Sequence, residues 1–119
     1  MLTRRLLGPL RTGFVAPSLS VNAWVSFTSA GVALDSENVS SITDNSGAGD
    51  WTVTFLRPMG SANYAVEGGT LYNAAAGGAN LTIDDSAAPT ATSLRVETRD
   101  QNSDALVDCD LNHLAVIGR

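Results

Sequence analysis

Few side chains in this chain are arranged for catalysis. His113 is the only histidine, and serines and Asp110 lie near it in the sequence. A Ser–His–Asp site needs the histidine as general base, within hydrogen-bond reach of the serine hydroxyl. The sequence has no Gly-x-Ser-x-Gly nucleophile elbow, and nothing in the spacing fixes that geometry. We therefore expect His113 to be a packed or surface histidine, and we predict that the protein is not an enzyme.

Carboxylates form two groups that deserve comparison with calcium sites. One pair is Asp84-Asp85, and a second group lies near the end of the chain at Asp100, Asp104, Asp108 and Asp110. Calcium prefers several such oxygens at close range, but no EF-hand pattern is present. Strand alternation would place Asp108 and Asp110 on one face, without bringing the others to them. We predict a solvated acidic surface with no metal and no other cofactor.

Four aromatic residues are candidates for a sugar-stacking platform: Trp24, Trp51, Tyr64 and Tyr72. Trp51 shares a face with Val53 and Phe55 at two-residue spacing, which predicts a core position. Tyr72 precedes the small-residue segment 73–80, which reads as a surface loop. Tyr72 is therefore the predicted ligand contact.

Two triplets match the acceptor pattern for N-glycosylation, one at Asn38 and one at Asn80. The pattern is short and common by chance, and the first triplet runs into a predicted strand. We interpret both as coincidence.

The whole chain has the alternation of a β protein. Trp51, Val53 and Phe55 alternate with two threonines, and similar patterns recur between clusters of turn-forming residues. No helical period persists for ten residues. The predicted strands cover residues 24–27, 32–34, 39–43, 50–56, 64–66, 81–83, 93–98 and, as one long or two short strands, 105–117. We predict an all-β fold, a small antiparallel β-sandwich of residues 21–119 behind an extended N-terminal arm of residues 1–20.

Composition and charge exclude several classes of function. The chain has 119 residues, 44% of them hydrophobic, and a formal charge of −5. From residue 12 onward four arginines face twelve carboxylates, which argues against nucleic-acid binding because phosphate contacts need cations. No apolar run approaches the roughly 20 residues that span a bilayer, so no membrane insertion is expected. The single cysteine, Cys109, excludes an intrachain disulfide and is expected to be a small buried residue.

The first twenty residues differ from the rest of the chain. They are basic and contain no acid, and Gly8-Pro9 and Ala16-Pro17 argue against a long helix. Their apolar side chains either pack back on the sandwich or bind another subunit, and we favour the second. A processed organellar targeting segment, which such a composition also fits, is a weaker alternative. The predicted assembly anchor consists of Arg4, Arg5, Leu6, Leu7, Leu10, Arg11 and Phe14.

Residues 23–117 contain four main segments that resemble a C-terminal module found in many bacteriophage tail-fibre and related virion proteins: Ala23–Phe27, Asn38–Asp44, Gly49–Phe55 and Asn63–Val66. The second segment, Asn-Val-Ser-Ser-Ile-Thr-Asp, is the most specific part. The later segments 93–96 and 114–117 also fit the module.

The resemblance implies an exposed β-domain on the surface of a virion, commonly a homotrimer, without enzymatic activity. In the family the module usually ends a long fibre, whereas here it follows an arm of 20 residues. That difference favours a short spike, head fibre or capsid decoration protein of a tailed phage or a gene-transfer-agent-like particle. The arm would then dock on a capsid, tail or hub protein. The alternative function is a receptor- or glycan-binding adhesion module of the same particle, contacting a host-surface glycan.

Overall fold

The computed structural model describes residues 20–71 and 78–118, and every regular element in those ranges is a β-strand. The predicted arm anchor, Arg4 to Phe14, and the predicted ligand contact, Tyr72, lie outside the described residues. The strands are β1 (Ser20–Thr28), β2 (Ala33–Glu37), β3 (Val39–Asp44), β4 (Asp50–Phe55), β5 (Ala65–Leu71), β6 (Ala79–Ile83), β7 (Ser93–Asp100) and β8 (Leu111–Gly118).

The strands form two antiparallel four-stranded sheets that pack face to face, which confirms the predicted all-β sandwich. Sheet A has the order β2-β1-β8-β5 and sheet B the order β3-β4-β7-β6. Strands β1 and β8 are therefore the centre of sheet A, although they come from opposite ends of the domain. In the part of the chain that the structure describes, no helix is long and apolar enough to span a membrane.

The core lies between the sheets and is built mainly of the inward side chains of the four central strands, together with Met59 from the loop after β4. Phe27 and Trp51 are both 0% exposed, and their rings meet edge to face with centroids 5.3 Å apart. Burial of each large apolar side chain contributes about 1.5–3 kcal/mol. The expected core position of Trp51 is thus confirmed, as is the burial of Cys109. The other inward residues of these strands are Ala23, Val25, Val53, Phe55, Leu94, Val96, Leu114 and Val116.

Asn38 joins the two sheets at the point where the chain passes from β2 to β3. Its φ of 57° lies in the left-handed region, which asparagine tolerates better than most residues. Its side-chain amide donates to the carbonyl of Asn22 (2.9 Å), and its side-chain oxygen accepts from the backbone N–H of Arg57 (2.7 Å). Asn38 is buried and its side-chain amide is hydrogen-bonded through both ends. The glycosylation triplet that begins with it therefore has a structural role, which is to connect the two sheets.

The structure corrects two strand predictions. The predicted strand 64–66 is too short, because β5 continues through Gly68 and Gly69 to Leu71 and pairs with β8 over seven consecutive residues without a register shift. Only Leu111–Gly118 of the predicted strand 105–117 is a strand; the preceding residues form a loop with one isolated bridge, between Arg99 and Leu106. Asp108 and Asp110 therefore do not share a strand face. Asp108 instead accepts a hydrogen bond from the backbone N–H of Gly49 (2.7 Å).

Gly49 and Gly47, in the turn before β4, form a matched pair for testing how closely the loop that contains Val107 packs against this turn. Both have positive φ, but a Cβ on Gly49 would lie 2.5 Å from the carbonyl oxygen of Val107, whereas one on Gly47 would meet nothing within 4 Å. Gly47→Ala should cost about 1–2 kcal/mol, from backbone strain alone. Gly49→Ala should cost about 1–3 kcal/mol more, because the loop must also move. Urea unfolding of both variants measures the difference, and equal losses would contradict the close approach.

Candidate functional site

On the outer face of sheet A, the half-buried Trp24 lies in a row of residues that has a glutamate at each end. Trp24 on β1 pairs with Glu37 on β2 and with Ala115 on β8, and Ala115 pairs in turn with Glu67 on β5. Residues paired directly across antiparallel strands have side chains on the same face. Since Val25 points into the core, Trp24 and its row must point outward. The result is a row in the order Glu37, Trp24, Ala115, Glu67.

A second row lies beside the first, one pleat along the strands. It runs from Asp35 on β2 through Ser26 on β1 and His113 on β8 to Gly69 on β5. His113 and Gly69 are exposed, and Ser26 is half-buried. The order of this row argues against a Ser–His–Asp relay, because there the histidine must lie between the serine and the carboxylate. Here the serine, Ser26, lies between Asp35 and His113. Asp110 is not part of the row, because it lies in the loop before β8.

The two rows enclose a shallow depression of about 380 Å³. Ala115 contributes only a methyl group to its floor, and Gly69 contributes no side chain, so neighbouring larger side chains form a rim. A Cβ on Gly69 would meet no atom within 4 Å, which shows that this space is open. We call this feature the Trp24 depression; its outward-facing residues are Trp24, Glu67, Gly69, His113 and Ala115.

The outer face of sheet B has a different character, because its charges are paired with one another. The Nε of Arg95 donates to Asp50 Oδ1 (2.9 Å) and lies 3.0 Å from Asp84 Oδ2. The hydrogen bond from Arg95 lowers the pKa of Asp50. Hydrogen bonds from the hydroxyl and the backbone N–H of Ser86 are the main cause of the lowered pKa of Asp84. This network ties β4, β7 and the end of β6 together and leaves little free for a ligand.

Asp100, from the second acidic group of the sequence, is likewise used in local structure. Asp100 accepts hydrogen bonds from the backbone N–H groups of Asn102 and Ser103, which closes the turn after β7. Glu97 pairs with Arg99, whose Nε lies 2.7 Å from Glu97 Oε1. Within residues 20–71 and 78–118, no three His, Cys, Asp or Glu side chains are grouped so as to hold a metal ion.

The remaining candidates have structural partners. The Tyr64 hydroxyl donates to the carbonyls of Thr90 (2.9 Å) and Ser93 (3.2 Å), and its ring packs edge to face on Phe55. Burial raises the pKa of Tyr64. Asn80 is exposed, and its side-chain oxygen accepts from Gln101 (2.9 Å).

A second depression, of about 320 Å³, lies beside the start of β1. Its lining includes Asn22, Asn38 and Arg57, whose backbone and amide groups already bond to one another across the joint between the sheets. The polar groups of this depression are therefore already used to hold the two sheets together.

The Trp24 depression is the better candidate site because two of its polar side chains can still bind a ligand. Among the described residues, neither Glu67 nor His113 makes a side-chain hydrogen bond or ion pair.

Sequence reasoning considered Trp24 only as one of four aromatics and did not assign it to a site. The alternation around Val25 would have placed Trp24 opposite the core. The contribution of Glu67, Gly69 and His113 depends on β8 lying between β1 and β5, and no local pattern predicts that order.

Comparison with known protein families, characterised proteins and solved structures finds no match to this chain.

Arg95→Gln should change how stability depends on pH. Because the pKa values of Asp50 and Asp84 are lowered by folding, their contribution is present above the unfolded value of about 3.9 and is lost as the pH falls below it. Removing the Arg95 hydrogen bonds raises the pKa of Asp50 toward its unfolded value. The stability difference between wild type and Arg95→Gln should therefore be largest at neutral pH and shrink below about pH 4.

Urea unfolding at several pH values measures this difference. Arg57→Gln is the matched control, because the exposed Arg57 side chain makes no ion pair among the described residues. A difference that stayed constant from pH 7 to pH 3 would show that Arg95 acts through packing and not through charge.

Proposed function

We propose that the protein is a structural component of a tailed phage or gene-transfer-agent-like particle, displayed on the virion surface as a short spike, fibre or decoration. The observation that supports this best is the part played by the segments that resemble the virion module. Asn38 starts the most specific of them and joins the sheets, Trp51 fills the centre of the core, and Gly49 makes the closest backbone approach. The matched residues are thus those on which this particular sandwich depends.

The particle would hold the protein through residues 1–20. Arg4, Arg5 and Arg11 are basic in a chain whose remainder is acidic, and leucines lie among them. Such a segment suits an acidic or apolar patch on a capsid, tail or hub protein, where charge attraction speeds docking and apolar burial holds it.

Deleting residues 2–16 should abolish incorporation into particles, while the sandwich still folds because its eight described strands lie within residues 20–118. Particles purified from a producing strain would be probed for the protein by mass spectrometry. The control replaces Arg4, Arg5 and Arg11 with lysine, which keeps the charge and should keep incorporation. Normal incorporation of the deletion variant would refute the anchoring role.

We further propose that the protein is a homotrimer. Edge strands β2 and β3 each carry an irregularity in their pairing, which discourages further strand addition. The other two edge strands, β5 and β6, pair regularly with β8 and β7 and carry one charged residue between them, Glu67, so they offer the better edges for subunit contact. Native mass spectrometry should give three times the 12.3 kDa of one chain, and a single-chain mass at micromolar concentration would contradict the trimer.

A second candidate function, host-surface adhesion, is favoured by the Trp24 depression. A purely structural subunit has no need of a half-buried tryptophan beside uncommitted Glu67 and His113 side chains on an open face. In this role the protein would still be carried on the particle, and it would contact a glycan of the host cell.

A further inference from the structure

We propose that the Trp24 depression binds one neutral sugar ring of a glycan, with Trp24 as the stacking surface and Glu67 and His113 as hydrogen-bonding groups. The inference rests on the adhesion role above and not on the structural role. The proposed aromatic contact is then Trp24, on the outer face of sheet A, in place of Tyr72.

The half-buried indole of Trp24 supplies an apolar surface beside two polar side chains, Glu67 and His113. A pyranose ring has a face of C–H groups that lies against an aromatic ring, while its hydroxyl groups point outward around the edge. Strand pairing on both sides, with Glu37 and with Ala115, fixes the backbone of Trp24. A tryptophan side chain has only two rotatable bonds, so it binds a ligand with little loss of side-chain entropy.

The two polar groups lie on the same face of the sheet as Trp24, within the depression. Glu67 is two strands away from Trp24 in the same row, across the small Ala115, and His113 is in the adjacent row on the strand between them. A carboxylate accepts hydrogen bonds, and a neutral imidazole both donates and accepts. Together they can bind two neighbouring hydroxyl groups.

The charges around the depression select against anionic ligands. Glu67 lies in it, and Glu37 and Asp35 lie at the β2 end of the two rows. Among the described residues, no arginine lines the depression, and the chain has no lysine. A phosphate, sulfate or sialic acid would therefore meet like charge. A quaternary ammonium group is attracted to tryptophan, but its usual site is a cage of several aromatic rings, and within residues 20–71 and 78–118 the lining contains one tryptophan and no phenylalanine or tyrosine.

The size of the depression also fits a small, partly exposed ligand. Its volume of about 380 Å³ is at the lower end of the range of about 300–1,000 Å³ that is typical of ligand sites. Because it is shallow, it can cover only one side of a ring, so the rest of the glycan continues into solvent. The affinity of one site should then be modest, and a trimer on a particle would gain avidity.

The test uses the full chain on an array of neutral, sialylated and sulfated glycans, followed by calorimetric titration of the best neutral oligosaccharide. Gly69→Leu fills the depression without backbone strain and should weaken binding at least tenfold. Trp24→Leu should do the same, whereas Trp24→Phe, which keeps an aromatic ring, should remain within about threefold of wild type. Glu67→Gln should weaken binding by roughly three- to tenfold through the lost charged acceptor.

Ser41→Leu is the matched control for Gly69→Leu, because it adds the same side chain to an exposed position of the other sheet. It should bind as wild type does. Circular dichroism and thermal midpoints of all variants separate loss of binding from loss of fold.

Four outcomes would overturn the proposal: no neutral glycan bound, unchanged binding in Gly69→Leu, equal binding in Trp24→Leu and Trp24→Phe, or preference for an anionic glycan. Choline, titrated in parallel, would overturn the sugar assignment if it bound in place of every glycan. Incorporation of Gly69→Leu into particles is scored separately. Particles that carry this variant normally, but no glycan binding by wild type, would refute the sugar site and leave the structural role standing.

Discussion

The edge-to-face contact of Phe27 with Trp51 is the constraint on which the rest of the structure depends. It joins the centre of sheet A to the centre of sheet B, and both side chains are completely buried. Since side chains alternate along a strand, fixing these two inward decides the direction of every neighbour on β1 and β4. Trp24 must face outward on one sheet and Asp50 outward on the other. A shift of one residue would expose the core side chains of either strand, and it would turn Asn22 and Ser26 in β1 or Asp50 in β4 into the core.

The two outer faces that follow from this constraint have opposite properties. On sheet B, Asp50 and Asp84 are held by Arg95 and Ser86, so the charges stabilise the fold and are not available to a partner. On sheet A, small residues in β5 and β8 leave space beside Trp24. A paired charge network resists change, whereas an open depression with uncommitted polar groups can accept a ligand at little cost to the fold.

Two residues in the connections between strands, Asn38 and Gly49, hold neighbouring segments of the sandwich together. Asn38 satisfies backbone groups of β1 and of the loop after β4 at once, and its own backbone is left-handed. Gly49 allows the loop that contains Val107 to lie directly on the turn before β4. These contacts close the two ends of the sandwich where strand pairing stops. Without them, backbone hydrogen-bonding groups would be buried without partners, which is costly in a domain with a modest core.

The sequence by itself determined that the protein is an all-β sandwich, that Trp51 lies in its core, and that turns rich in glycine and asparagine separate its strands. Local alternation and turn chemistry carry that information, because they act between residues a few positions apart. Only the tertiary structure decided that β8 lies between β1 and β5, which brings Trp24, Glu67, Gly69 and His113 onto one face. It also showed that β5 continues through its two glycines and that Asp108 lies in a loop. Strand order depends on how all eight strands share one core, and no single segment contains that choice.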